Sequence, residues 1–105
     1  MKEMDKIEFY RDSIKFILDI QASDGSITWE KDAKLDPWDH VECAMALTVA
    51  GEVEGAKKAY EWMQSNQEEV GGWFSEYKSG VPSKRRIETN FAAYICVGIW
   101  HFYLI

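Results

Sequence analysis

The sequence predicts an all-α fold in which half-wet outer helices alternate with uncharged inner ones, and three observations carry that prediction. Ile7, Tyr10, Ile14, Ile17 and Leu18 recur at the i, i+3, i+4, i+7 spacing of one helical stripe, with Glu8, Arg11, Asp12, Lys15 and Asp19 set mostly off it. The runs Cys43 to Ala50 and Thr89 to Ile105 contain no Asp, Glu, Lys or Arg, and a helix apolar on every side is buried on every side. The third observation is a phrase used twice. Gln67-Glu68-Glu69-Val70-Gly71-Gly72-Trp73 echoes Gln21-Ala22-Ser23-Asp24-Gly25-Ser26-Ile27-Thr28-Trp29, with the two Gln residues 46 apart and the two Trp residues 44 apart. A period of that size marks stacked supersecondary units.

Each helix has its own start and stop. The first is expected over 5–21, where Asp5 followed by Glu8 supplies a capping pair. The second is expected over 37–50: Asp36 caps it, Pro37 suits the first helical position, Asp39 complements the dipole and Gly51 ends it. The third, over 52–66, shows an apolar stripe of Val53, Ala56, Ala59, Tyr60 and Met63, with Glu54/Lys58 and Lys57/Glu61 at i, i+4 spacing. Between Trp73 and Ile87 the chain reads as a polar loop holding Gly80, Pro82 and the basic cluster Lys84-Arg85-Arg86. The fourth helix is expected over 87–104. The order outer, inner, outer, inner makes one domain, 1–105, of two helical hairpins, about 5–50 and 52–105. The second and fourth helices are expected to be more buried than the first and third.

Composition narrows the function classes. At 105 residues the chain buries about 65% of its unfolded surface, a modest core. A net charge of −6 argues against a nucleic-acid partner, which needs clustered cations to displace counterions. The mixed-charge start Met1-Lys2-Glu3-Met4-Asp5-Lys6 has no apolar signal region, so the expected location is cytoplasmic. The uncharged last helix falls just short of a usual membrane span and carries Asn90, Gly98 and His101, so no membrane span is expected. Cys43 and Cys96 sit in apolar helical contexts without Cys-x-x-Cys spacing and read as buried thiols.

The repeated phrase resembles the "QW" repeat of the terpenoid cyclase and protein prenyltransferase alpha-alpha toroids, in which Gln, two to five residues, Gly, one residue and Trp join successive helical hairpins. The second copy fits; the first has two extra residues between Gly and Trp. The resemblance implies a partial toroid with an inner cavity for a small apolar or isoprenoid-type ligand, and no cofactor. The Asp-x-Asp-Asp acid motif of squalene-hopene type cyclases and the Asp, Cys, His zinc set of the prenyltransferases are both absent from the sequence.

The resemblance also places functional groups near one set of inner-helix ends. Asp39 and Glu42, three apart on a helix, are the candidate catalytic pair, suited to general acid and base work. Trp38, His40, Glu88, Asn90, Tyr94 and His101 are the candidate ligand-binding set, the last three with Val97 drawing a polar-tinged stripe down the fourth helix. The structural alternative is that Asp39 serves the helix dipole and Glu42 pairs with Arg85 or Arg86. His40-x-Glu42 has the wrong spacing for two ligands on one side of a helix, so no metal site is expected.

Two further functions compete with the isoprenoid reading. One is a carbohydrate-active alpha-alpha barrel fragment of glycosidase or lyase type, using Asp39, Glu42 and Trp38 as carboxylates and sugar platform. The other is a non-catalytic helical interaction module. Because two hairpins leave an inner surface bare, self-association or a missing C-terminal partner is expected, with a cyclic trimer supplying six hairpins.

Overall fold

A computed structural model describes residues 8–105. Residues 5–7 of the expected first helix lie outside that range. The described chain contains helices α1 (Arg11–Ile20), α2 (Pro37–Val49), α3 (Val53–Ser65) and α4 (Thr89–Leu104), with strands β1 (Lys34–Leu35), β2 (Phe74–Lys78) and β3 (Val81–Ile87) between them. Asp36 caps α2 as its chemistry dictates, its carboxylate accepting from the N–H groups of Trp38 at 2.8 Å and Asp39 at 3.3 Å.

The strands correct the all-α expectation. They form an antiparallel sheet in the order β1-β2-β3, pairing Leu35 with Tyr77 and Lys34 with Lys78 on one side of β2, and Tyr77 with Pro82 and Lys78 with Val81 on the other. The region read as a polar loop is therefore a hairpin, closed by Ser79 and Gly80 at φ of 52° and 77°. A two-residue turn with both φ angles positive matches the twist of paired strands. Its polar residues serve the sheet: the Glu76 carboxylate accepts from Ser83 Oγ at 2.8 Å and lies 3.2 Å from Lys34 Nζ. The Ser83 hydroxyl, with Lys34 and Lys84 nearby, holds that carboxyl below its usual range.

The sheet also changes which helices are enclosed. Val41, Ala44 and Leu47 of α2 are fully buried, but α3 contributes five buried residues, Ala56, Ala59, Tyr60, Trp62 and Met63, whereas α4 has only Phe91 and Gly98. The expectation that the fourth helix is more buried than the third fails. Tyr77 on β2 meets Trp62 edge-on at 5.1 Å, so the sheet covers a side of α3 that hairpins alone leave wet. Gly98 lets α4 approach closely: a Cβ there would stand 2.6 Å from Val41 Cγ1 and 2.8 Å from the Tyr60 hydroxyl. Among the described residues no helix is long and apolar enough to cross a membrane.

The repeated phrase produces two equivalent turns. Gln21 donates its amide to the Gly25 carbonyl at 3.0 Å, and Gln67 donates to Gly71 at 2.9 Å. Gly25 N–H bonds Ala22 O at 2.9 Å where Gly71 N–H bonds Glu68 O at 2.8 Å, and the two glycines share φ values of 93° and 96°. Six residues after each Gln a side chain plugs the core: Ile27 in the first turn, Trp73 in the second. Trp73 donates its indole N–H to Met63 O at 2.8 Å. Trp29, two residues further along, is 53% exposed with Lys34 Nζ 3.9 Å from its ring centroid. The expected equivalence of Trp29 and Trp73 is thus replaced by Ile27 and Trp73, at the 46-residue offset of the glutamines.

The two glycines differ in one respect that a mutation reads out. A Cβ on Gly25 would fall 2.1 Å from the Lys58 carbonyl oxygen, a backbone atom, while one on Gly71 meets nothing within 4 Å. Gly71→Ala should cost about 1–2 kcal/mol from its left-handed φ alone, and Gly25→Ala at least about 3 kcal/mol because α3 must also move. Urea denaturation of the two variants checks the difference; equal losses would contradict the close packing at Gly25.

Candidate functional site

The loop between α1 and α2 is held down by one imidazole. His40 is fully enclosed, its Nδ1 accepting from the Ile27 N–H at 3.1 Å and its Nε2 lying 2.8 Å from Ala59 O. Because Ile27 N–H can only donate, the proton sits on Nε2, and the ring bridges loop and α3 in its neutral form. Burial pushes its pKa down to about 4, against partial support from the Ala59 carbonyl. His40 is therefore a brace inside the protein and not part of an open ligand-binding rim, as the sequence reading had placed it.

The remaining candidates separate onto two flanks of the α2 start. On the flank towards α4, Trp38 stacks on Tyr94 with ring centroids 4.6 Å apart and meets Phe91 edge-on at 6.3 Å. Glu42 accepts the Trp38 indole N–H. That bond, and not one to Arg85 or Arg86, is its partner; Arg85 lies over the Phe74 ring at 5.2 Å. Burial and then the Glu42 charge raise the Tyr94 phenol above its ordinary value, so it stays protonated and a donor. Glu88 caps α4 from an extended conformation without a side-chain hydrogen bond, and Asn90 is exposed in the first turn.

On the other flank, Asp39 lines a cleft of about 220 Å³ with Trp29, Thr28, Phe16 and Cys43. The cleft sets a carboxylate among apolar walls and beside an exposed indole. Burial, then the charges of Asp39 and Glu42, raise the Cys43 thiol above its ordinary value, so it stays a thiol and not a nucleophile. Trp29 is the functional candidate that sequence reasoning missed, because it was assigned to a hairpin junction; its position after Ile27, which already fills the core, was the available signal. His101, in the last turn of α4, has a buried Nδ1 that meets no partner among the described residues and is not brought to either flank. Among the described residues no three His, Cys, Asp or Glu side chains assemble as a metal site.

The fold and the rim thus define helical hairpins joined by Gln-braced turns, with carboxylates and aromatic plates gathered where α2 begins. No protein-family model matches the chain. The chain is similar to the MMP endo-(1,4)-3-O-methyl-alpha-D-mannosidase of Mycolicibacterium hassiacum, with 41% identity over 95 residues that make up 90% of this chain and 26% of that enzyme. It spans about a quarter of the relative's length. This likeness, together with the sheet, overturns the assignment to the prenyltransferase and terpenoid cyclase toroids. The Gln-Gly-Trp phrase misled because what it encodes here is a turn; the tryptophan after the first copy is not the core residue.

The brace makes a pH prediction. The unfolded imidazole takes up a proton as pH falls through its ordinary 6.5, while the folded one stays neutral to about 4. Stability from this group is therefore whole above pH 6.5 and drains away between 6.5 and 4, a loss of about 3 kcal/mol at the low end. Denaturation at a series of pH values should show this slope in the native chain, and His40→Gln should be less stable at neutral pH with the slope gone. A slope that survives the substitution would assign it elsewhere.

Proposed function

We propose that this chain is the sugar-binding portion of a carbohydrate-active alpha-alpha barrel of glycoside hydrolase type, and that it takes an α-linked, partly methylated mannose chain. The observation that carries the reading is the cleft that pairs Asp39 with the exposed indole of Trp29. Sugar rings stack their C–H faces on aromatic plates, and 3-O-methyl groups widen the apolar face that such a plate accepts. The similarity to a mannosidase supports this reading over the isoprenoid one.

In this reading Asp39 acts as one of the two carboxylates that glycoside hydrolysis uses, either activating water or holding the sugar through its hydroxyls. Glu42 is a positioning residue: it fixes the Trp38 indole, which with Tyr94 forms a second aromatic plate at the same helix start. Hydrolysis by paired carboxylates requires no cofactor, and none is invoked.

An α-(1,4)-linked 3-O-methylmannose oligosaccharide titrated into the chain should change its tryptophan fluorescence in a saturable way. Trp29→Ala and Asp39→Asn should each weaken binding about tenfold, the cost of losing one stacking plate or one charged acceptor. Farnesyl diphosphate, as the isoprenoid probe, should produce no saturable change. Saturation by the diphosphate with no response to the oligosaccharide at millimolar concentration would overturn the reading.

A further inference from the structure

We infer that the chain carries a second sugar site beside the Asp39 cleft, selective for a ring whose hydroxyls are free of methyl groups. The choice of a sugar rests on the reading given above. The site itself rests on a cavity of about 220 Å³ between the α1–α2 loop and the tip of the β2–β3 hairpin. Pairing of Leu35 with Tyr77 and of Lys34 with Lys78 brings that tip, Ser79 and Gly80, against the loop. The buried side chains of Leu35, Trp62 and Tyr77 form its floor, and Asp24, Asp32 and Ser79 stand exposed around its mouth. Ile20 and Thr28 line both this cavity and the Asp39 cleft, so the two are neighbours across one wall.

The floor holds an unanswered donor. Trp62 is 5% exposed, yet its indole N–H meets no acceptor among the described residues, whereas Trp73 donates to Met63 O and Trp38 to Glu42. The fully enclosed side-chain polar atoms that lack a partner among the described residues are the Tyr60 hydroxyl and the His101 Nδ1. Trp62 Nε1 is not one of them, so its N–H keeps an opening, and Trp62 opens on this cavity. The mouth holds the opposite chemistry. Asp24 commits one oxygen, Oδ1, to the N–H and the hydroxyl of Ser26, at 2.9 Å and 2.6 Å. Among the described residues neither its Oδ2 nor the Asp32 carboxylate is hydrogen-bonded or ion-paired.

Those groups select the occupant. A cation would satisfy the two carboxylates but leave the indole N–H facing positive charge, and an anion would satisfy the N–H but be repelled by the carboxylates. A hydroxyl accepts from the one and donates to the others. A pyranose ring offers several hydroxyls at once, with an apolar C–H face for Leu35 and Tyr77. The cavity is smaller than the roughly 300–1,000 Å³ that drug-sized ligands occupy, which suits a single ring. An O-methyl group in place of a hydroxyl removes the donor that a carboxylate needs and sets an apolar group against a charge. The walls of the Asp39 cleft, with Phe16, Ile17 and Trp29, have the reverse preference. The two neighbouring sites therefore sort sugar rings by methylation.

The indole N–H signals of the five tryptophans in a proton–nitrogen correlation spectrum, assigned with single Trp→Phe variants, read the two sites separately. Unmethylated α-(1,4)-mannobiose should move the Trp62 signal saturably at about millimolar concentration. Its 3-O-methylated counterpart should act on Trp62 at least about tenfold more weakly while moving the Trp29 signal. Asp24→Asn and Asp32→Asn, with spectra otherwise unchanged, should each weaken the Trp62 response about tenfold and leave the Trp29 response in place. Calcium chloride, as the cation probe, should leave Trp62 where it is. A Trp62 signal that ignores mannobiose, moves equally with both sugars, or moves with calcium instead overturns the proposal. If Trp29 still answers the methylated sugar while Trp62 answers neither, this second site falls and the sugar reading stands; silence of both signals removes both.

Discussion

One neutral imidazole sets the geometry on which the rest of the molecule depends. His40 has no contact with solvent, and each of its nitrogens answers a backbone group from a different segment: Ile27 in the α1–α2 loop and Ala59 in α3. Left unpaired in the core, either backbone group would cost about 1–3 kcal/mol. The ring thereby pins the loop so that Ile27 points inward and Trp29, two residues on, points outward beside Asp39. A burial that costs the histidine its charge builds the exposed edge of the candidate site.

The same economy appears in the repeated turn. A glutamine amide closes each turn onto a glycine carbonyl, and the glycine's positive φ frees the chain to reverse. In the first copy the amide reaches further, to the carbonyl of Gly55 on the next outer helix. At the first turn, turn chemistry and helix stacking are therefore one interaction. The rim chemistry follows from that stacking, because it brings the starts of α2 and α4 together and lets Trp38 lie flat on Tyr94.

Much of this is legible in the residues. Helix positions follow from apolar spacing and from caps such as Asp36, and the repeat follows from the two Gln–Gly phrases. The sheet was hidden because its strands are short and polar: Ser83, Lys84, Arg85 and Arg86 look like solvated loop until Glu76 is placed opposite them, although Ser79-Gly80 between alternating residues is a hairpin signal. The inside-out reading of Trp29 has a similar cause, since a tryptophan near a turn fits a plug as readily as a platform, and only the 46-residue register distinguishes them. His40 was placed at a rim by its position in the first turn of α2; its burial depends on Ile27 and Ala59, 13 and 19 residues away in sequence. Local pattern does not encode that. The candidate site was half visible, with Asp39, Trp38 and Tyr94 named from sequence and their division onto two flanks supplied by the fold.

The brace is most directly tested by the imidazole nitrogen chemical shifts of the folded chain, with His101→Gln used to assign the two histidines. A bare Nδ1 and a protonated Nε2 on His40, unchanged from neutral pH down to about pH 5, is the predicted result, since the folded ring titrates only near 4. A proton on Nδ1, or titration of His40 near its ordinary 6.5, would mean that the ring does not bridge Ile27 and Ala59, and the loop that presents Trp29 beside Asp39 would lose its anchor.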